Sequence, residues 1–371
     1  MILISFAVFT KNVSSQTSFE NAWNEYVDSV TIGNDLQEAC VPRKLSAETE
    51  TKRGVVVLFH GFSACPQQWD LIAPLLTEKG FDVLMPLNPG HGNSLKDPGS
   101  RLRCLYGCDG PTDNVTGFPV IVDEWIDYVN TINNIVSMSS GYHAVGGLSV
   151  GGTLAASAGL ARNQDGTHIY SRQLIMNPMI ELHGIVDTAL SILSHLPYIK
   201  DDFVGWGPGC REERANGRGG VCTFKVVNGK AARDFGQGVL SKSSKDLNST
   251  VTTAVLYDRN DPVVNVDYVR KLASHYPDGG VAVESNPSRR LTHCVLNFTD
   301  HSMLSRWDEI HNNKWWMNEL TCKVVSYLSF SSEFFHAIDV TDPESDHDFF
   351  CELNCTSETC SYNRNASYVT C

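Results

Sequence analysis

From Gly54 onward, short apolar runs alternate with stretches whose apolar positions recur every three or four residues. "GVVVLF" is apolar at nearly every position, the pattern of a strand buried on both faces. "FDVLMPL", "YHAVGGL", "RQLIMNPM", "TTAVLY" and "THCVLNFT" read as further strands. Between them, "DLIAPLLTEKG" predicts a helix closed by glycine, and "VDEWIDYVNTINNIV" an amphipathic helix. "GGTLAASAGLA" predicts a helix of small residues. Buried strands separated by helices predict an α/β fold, with a mostly parallel central sheet and helices on both faces.

Three segments break this rhythm. A loop from Asn93 to Pro119 carries Cys104 and Cys108. From Glu181 to about Leu240 an insertion opens on the apolar helix "GIVDTALSILSHL" and continues through "GPGCREERANGRGGVC", which predicts a cap over the sheet. The tail after about Phe335 holds Cys351, Cys355, Cys360 and Cys371, and from Glu333 on it has eight acidic residues against one arginine. Such a tail buries little core, so disulfides would have to hold any fold it has. The expected organisation is a signal peptide over 1–15, a main domain over 16–335 with the cap at about 181–240, and an acidic, cysteine-rich tail over 336–371.

Composition adds a compartment. Twelve cysteines are many for a reducing environment. Asn-x-Ser/Thr sequons stand at Asn12, Asn114, Asn248, Asn297, Asn354 and Asn365. The opening "MILISFAVFTKNVSSQ" is a short apolar run ending near Ser15, without a basic start, and reads as a secretory signal. Together these predict a secreted protein with disulfides, among them a Cys210–Cys222 bridge closing the Gly- and Arg-rich loop of the cap. No other run is long and apolar enough to span a membrane. A net charge of −13 with no basic stripe argues against nucleic acid as a partner. Oligomeric state is not legible.

The candidate chemistry centres on "VGGLSVGG". A glycine inside a regular element costs roughly 0.5–1 kcal/mol against alanine, so four around one serine need a reason. Ser149 falls where a buried strand ends and a helix begins, in the order Gly147-Leu148-Ser149-Val150-Gly151. A nucleophile elbow requires this: the serine takes a strained turn that exposes its oxygen, and small residues on either side let strand and helix approach. A second loop, His60-Gly61-Phe62 after "GVVVLF", offers a partner. The amides of Phe62 and Val150 are the expected oxyanion donors, with Gly61 permitting the bend. His60 is expected to be a structural histidine beneath the loop.

With these pieces in place, the chain resembles the α/β-hydrolase superfamily, in its carboxylesterase and monoacylglycerol-lipase branch. The stretches that carry the likeness are "VVVLFHGFSACPQQWDLIAPLLTEKGFDVLMPLNPGHGNS", "GLSVGG", "VLYDRNDPVV" and "VLNFTDHSML", over roughly Gly54 to Leu328. The resemblance implies a catalytic serine, acid and histidine in that order. Asp261, before Pro-Val-Val, matches the acid position, leaving Asp258 to pin the loop. Two histidines flank the apolar run Cys294 to Phe298. Catalytic groups gather at the carboxyl ends of parallel strands, which favours His301 over His293 as the base. The implied reaction is hydrolysis of a small-molecule or lipid ester through an acyl-enzyme, with no cofactor and no metal. The cap helix, through Leu190 and Leu193, is expected either to meet the acyl chain, with "GHGNS" at the pocket rim, or merely to pack on the sheet domain. Two rivals stand beside this reading. One is a related aminopeptidase using Glu181, Asp187, Asp201 or Asp202 to anchor an amine; the other is a non-catalytic binding protein.

Overall fold

The computed structural model describes residues 2–93, 104–106, 115–206, 210, 214, 218–246, 250–258, 261–276, 293–296, 317–329, 337–338, 350–351, 361–362 and 369–370. In chain order the strands are β1 (Arg43–Leu45), β2 (Gly54–Phe59), β3 (Phe81–Met85), β4 (Cys104–Tyr106), β5 (Tyr142–Leu148) and β6 (Arg172–Met176). They continue with β7 (Phe203–Gly205), β8 (Thr223–Lys225), β9 (Thr252–Asp258), β10 (His293–Leu296), β11 (Ala337–Ile338), β12 (Phe350–Cys351), β13 (Ser361–Tyr362) and β14 (Val369–Thr370). The helices are α1 (Ile2–Thr31), α2 (Ile72–Glu78), α3 (Val122–Ser137), α4 (Val150–Gly159) and α5 (Gly184–Leu193), then α6 (Val226–Ser243), α7 (Val266–Ala273) and α8 (Met317–Leu328).

Among the described residues the main sheet runs β1-β3-β2-β5-β6-β9-β10-β12-β11. It is parallel from β3 to β10, with β1 antiparallel at one edge and β11 antiparallel to β12 at the other. This is the mostly parallel sheet that the apolar runs predict. Strands β2, β3, β5, β6 and β9 are largely buried, and their side chains, alternating with period two, feed both faces. Val55, Val57 and Phe59 of β2 join one core, while Val56 and Leu58 join the other. Helices α2 and α8 cover the second face through Ile72, Leu76, Leu320 and Leu328. The first is covered by α3, α4, α6 and α7, with Trp125, Leu154, Phe235 and Val269 among the buried residues.

Two elements go beyond the sequence expectation. Helix α1 runs without a break across the 15/16 boundary expected for a signal peptide. Its Phe19, Trp23 and Tyr26 are buried in the main core, and the Tyr26 hydroxyl donates to the Leu87 carbonyl at 2.9 Å. Helix α6 ends the predicted insertion, yet Phe235 stacks on Trp125 of α3, so that helix packs on the sheet layer. The two loops that interrupt the βα rhythm pair with each other: β4 lies parallel to β7, which lies antiparallel to β8. Cys210 is bonded to Cys222, as expected, and Cys40 to Cys65.

Candidate active site

Ser149 stands between β5 and α4 with φ +60° and ψ −123°, a region that L residues rarely occupy. Its backbone is held by its neighbours: its N–H donates to the Met176 carbonyl at 2.9 Å, and its carbonyl accepts the Met179 N–H at 3.1 Å. The glycines are required by close approach. A Cβ on Gly147 would lie 1.9 Å from the Gly151 carbonyl oxygen, and one on Gly151 would lie 2.1 Å from that of Phe59. Strand and helix therefore touch backbone to backbone, and the serine between them takes the strained turn. Only 8% of Ser149 is exposed.

The His60-Gly61-Phe62 loop lies against this turn. A Cβ built on Gly61 would sit 3.5 Å from the Ser149 Cβ. The peptide unit joining Gly61 to Phe62 is held by its carbonyl, which accepts from Ala64 N–H at 3.2 Å and pairs with His60 Nδ1 at 2.9 Å. In a trans peptide the C=O and N–H point in opposite directions, so anchoring the carbonyl aims the Phe62 N–H the other way. Among the described residues that N–H has no hydrogen-bond partner. The Val150 amide opens α4, where a helix leaves its first N–H groups unpaired and carries its positive end. The bend differs from expectation in one respect. Left-handed backbone falls at Ser63 (φ +64°), and Gly61 has ordinary space around it.

Beneath the loop sit two buried histidines. His60 Nε2 accepts the Asn88 N–H at 3.0 Å, which leaves Nδ1 to donate to the Gly61 carbonyl. His91 repeats the arrangement: Nε2 accepts the Ser63 N–H at 3.1 Å and Nδ1 faces the Pro89 carbonyl at 2.9 Å. His91 also stacks on Phe118 with ring centroids 4.0 Å apart. Burial holds His91 down to about 4, and burial together with the neighbouring His91 holds His60 well below the ordinary histidine range. Both are neutral at pH 7. The sequence suggests His60 as a support. It misses His91, which lies buried under the turn instead of at a pocket rim. The available signal was two glycines flanking one histidine: Gly90 and Gly92 both have positive φ.

The two candidate aspartates, Asp258 and Asp261, stand at and just beyond the end of β9, beside the end of β6. Asn177, with φ +38°, donates its N–H to the Leu256 carbonyl, and its side-chain oxygen accepts the Asp258 N–H at 2.8 Å. Asp258 closes β9 and is fully buried. Asp261 lies three residues beyond, and its Oδ1 accepts the amides of Val263 at 2.7 Å and Val264 at 3.0 Å. Val264 in turn bridges Leu182 at the base of the insertion. His293 begins β10 opposite Val255, while Leu296 ends it opposite Asp258. The chain thus leaves β10 at the edge where the two aspartates stand. His301 follows five residues after Leu296 and lies outside the described residues.

The insertion splits the expected helix face. Leu190 is buried against α6, since a Cβ on Gly229 would come within 3.2 Å of it. Leu193 is half-buried, and Ile192 is exposed. Asp187 and Glu181 are engaged within the protein. Arg233 grips both oxygens of Asp187, at 2.9 and 3.0 Å, and Glu181 accepts from Gln237 and Asn265. Among the described residues no group of three or more His, Cys, Asp or Glu could hold a metal ion. Nor is any described helix long and apolar enough to cross a membrane.

Comparison with known proteins agrees with this architecture. Residues 56–310 match the profile of the Alpha/beta hydrolase family. Among solved structures, a monoacylglycerol lipase from Paleococcus ferrophilus is similar at 16% identity and a TM-score of 0.53, over 78% of this chain and 98% of that one. A soluble variant of the Saccharomyces cerevisiae monoglyceride lipase, in complex with a substrate analogue, is similar at 13% identity and a TM-score of 0.51, over 77% and 90% of the two chains. No curated protein sequence matches significantly.

Proposed function

From the chain's membership of the alpha/beta hydrolase family, we propose that it is a secreted serine hydrolase of carboxylic esters. The observation that carries this reading is the strained Ser149 at a glycine-cleared strand-to-helix turn, beside two backbone amides available for an oxyanion. Ser149 Oγ attacks the acyl carbonyl while His301 takes its proton, and Asp261 orients the imidazole and stabilises its cation. The carbonyl oxygen becomes an oxyanion received by the Phe62 and Val150 amides. His301 then returns the proton to the departing alcohol, and a water repeats the cycle on the acyl-enzyme. The chemistry calls for no cofactor and no metal.

Short- to medium-chain acyl groups suit the cap. The support is a half-buried Leu193 that packs at the edge of the main core, with Leu190 buried beside it against α6. Each buried methylene contributes about 0.8 kcal/mol, so selectivity is expected to climb up to roughly fourfold per carbon until the pocket is full. Of the four acidic anchors open to the aminopeptidase rival, Glu181 and Asp187 are already committed to Arg233, Gln237 and Asn265, which leaves it Asp201 and Asp202. A panel of p-nitrophenyl esters beside aminoacyl amides tests the reading. Ser149→Ala is expected to lower turnover by on the order of 10⁴–10⁶ without unfolding the chain, and a fluorophosphonate is expected to label Ser149 alone. Near-normal turnover by that variant would refute the assignment. A preference for amides bearing a free amine would revive the rival.

A further inference from the structure

Ser63, the residue after Phe62, is 1% exposed and sits in left-handed backbone, a conformation that costs an L residue about 1–2 kcal/mol. Something must hold it there. Each of its three polar groups is taken by a different residue. The N–H donates to His91 Nε2 at 3.1 Å, and the carbonyl accepts the Val221 N–H at 2.9 Å. The hydroxyl oxygen accepts the indole N–H of Trp206 at 2.6 Å. Two of the three partners come from the insertion. Trp206 directly follows β7, and its own N–H donates to the Cys222 carbonyl, next to Val221 and inside the bridge to Cys210. The approach is tight, since a Cβ on Gly220 would lie 2.0 Å from the Ser63 carbonyl oxygen. Gln37 pairs with both the N–H and the C=O of Gly220 and keeps that stretch of the insertion seated. The indole ring leans on Phe224, whose edge meets Phe62.

We infer that Trp206 is a positioning residue for the oxyanion turn, so that the Phe62 amide is correctly aimed only while the insertion is docked. This rests on the serine-hydrolase reading above. An indole is a donor only, and Ser63 Oγ is its acceptor, so one bond can be removed from either side. Losing it would let Ser63 relax toward ordinary φ and swing the turn that carries the Phe62 N–H. The interaction acts through another group, so its loss should fall below the 10²–10³-fold of a missing oxyanion donor.

The test uses the full chain with Trp206→Phe, Ser63→Ala and the double variant, beside wild type and Ser149→Ala, on p-nitrophenyl butyrate. Each single change is expected to lower kcat by about 5- to 30-fold with KM within about twofold. Affinity for a trifluoromethyl ketone, whose hemiketal oxyanion occupies the hole, is expected to fall by the same factor as kcat/KM. The double variant should be no worse than the poorer single one, because both remove one bond. Ser63→Ala deletes a single oxygen and keeps the test valid if Trp206→Phe misfolds. Unchanged kcat in Ser63→Ala, additive losses, or a loss confined to KM or to melting temperature would overturn the inference. An inert Ser149→Ala beside fully active Trp206→Phe defeats this inference alone, whereas an active Ser149→Ala defeats the hydrolase reading beneath it.

Discussion

At Gly151 the place of a side chain is already occupied by the Phe59 and His60 carbonyls, 2.1 and 2.6 Å from where a Cβ would be. Gly151→Ala is therefore expected to separate α4 from β2 and to yield little folded protein. Gly61→Ala meets only ordinary contacts and is expected to melt within a few degrees of wild type, which thermal unfolding of the pair will check. The buried histidines give a pH prediction. His91 is held to about 4 by burial, against 6.5 when unfolded, so the unfolded chain binds its proton first as the solution is acidified. Its contribution is complete above pH 6.5, declines as pH falls from there toward 4, and amounts to roughly 3 kcal/mol across that window. His60 adds to the slope in the same direction. His91→Gln keeps an acceptor for the Ser63 N–H but does not titrate, so the urea midpoint should fall less steeply between pH 6.5 and 4. An identical slope in both proteins would refute the assignment. The glycines around Ser149 were legible because they are a local spacing. The roles of His91 and Ser63 were not, since their bond joins residues 28 positions apart.

Helix α5 shows how a periodic face divides its work. Leu190 is buried against α6 and Phe224, so Leu190→Ala is expected to lower stability by about 2–4 kcal/mol, read by denaturant unfolding. Leu193→Asp, at a half-buried position, is expected to depress turnover of medium-chain esters more than of acetate. A flat chain-length profile in both proteins would leave α5 with packing alone. Periodicity exposes a helix face but does not say what covers it, which is why the sequence could not separate these two leucines. The strands were more legible. β2, β3, β5, β6 and β9 are long apolar runs that need burial on both sides, and each forms where the pattern places it. Short elements carried too little pattern. β1 is three residues of intermediate burial at the sheet edge, and β7 and β8 are three residues each. In α1, after the apolar start that suggested a leader over 1–15, Phe19, Trp23 and Tyr26 are buried, and the Tyr26 hydroxyl bonds the Leu87 carbonyl 61 positions away, which local pattern does not reveal.

Across the whole molecule, the parts proposed to act together come from segments far apart in sequence, and covalent links sit close to where they meet. The Cys40–Cys65 bridge ties the N-terminal segment to the loop that follows Phe62 and Ser63, across 25 residues. The Cys210–Cys222 bridge closes 12 residues of the insertion beside Val221, whose amide holds the Ser63 carbonyl. On the acid side, the base of the insertion pairs with the Asp261 loop, with His183 N–H on the Val263 carbonyl and Asn265 N–H on the Glu181 carbonyl, at 2.9 and 2.8 Å. The insertion therefore touches both halves of the proposed site. In the loop-entropy account each bridge contributes about 3 kcal/mol. Removing Cys210–Cys222 by a double change to serine should cost that much stability and should also reduce turnover, because the freed loop carries Val221. Mild reduction of the wild-type chain is expected to reproduce both effects, with activity returning on reoxidation. Non-reducing peptide mapping of protein recovered from culture medium is the deciding measurement. Both bridges should be formed there, and free thiols at these four positions would remove the support that disulfides lend to a secreted enzyme.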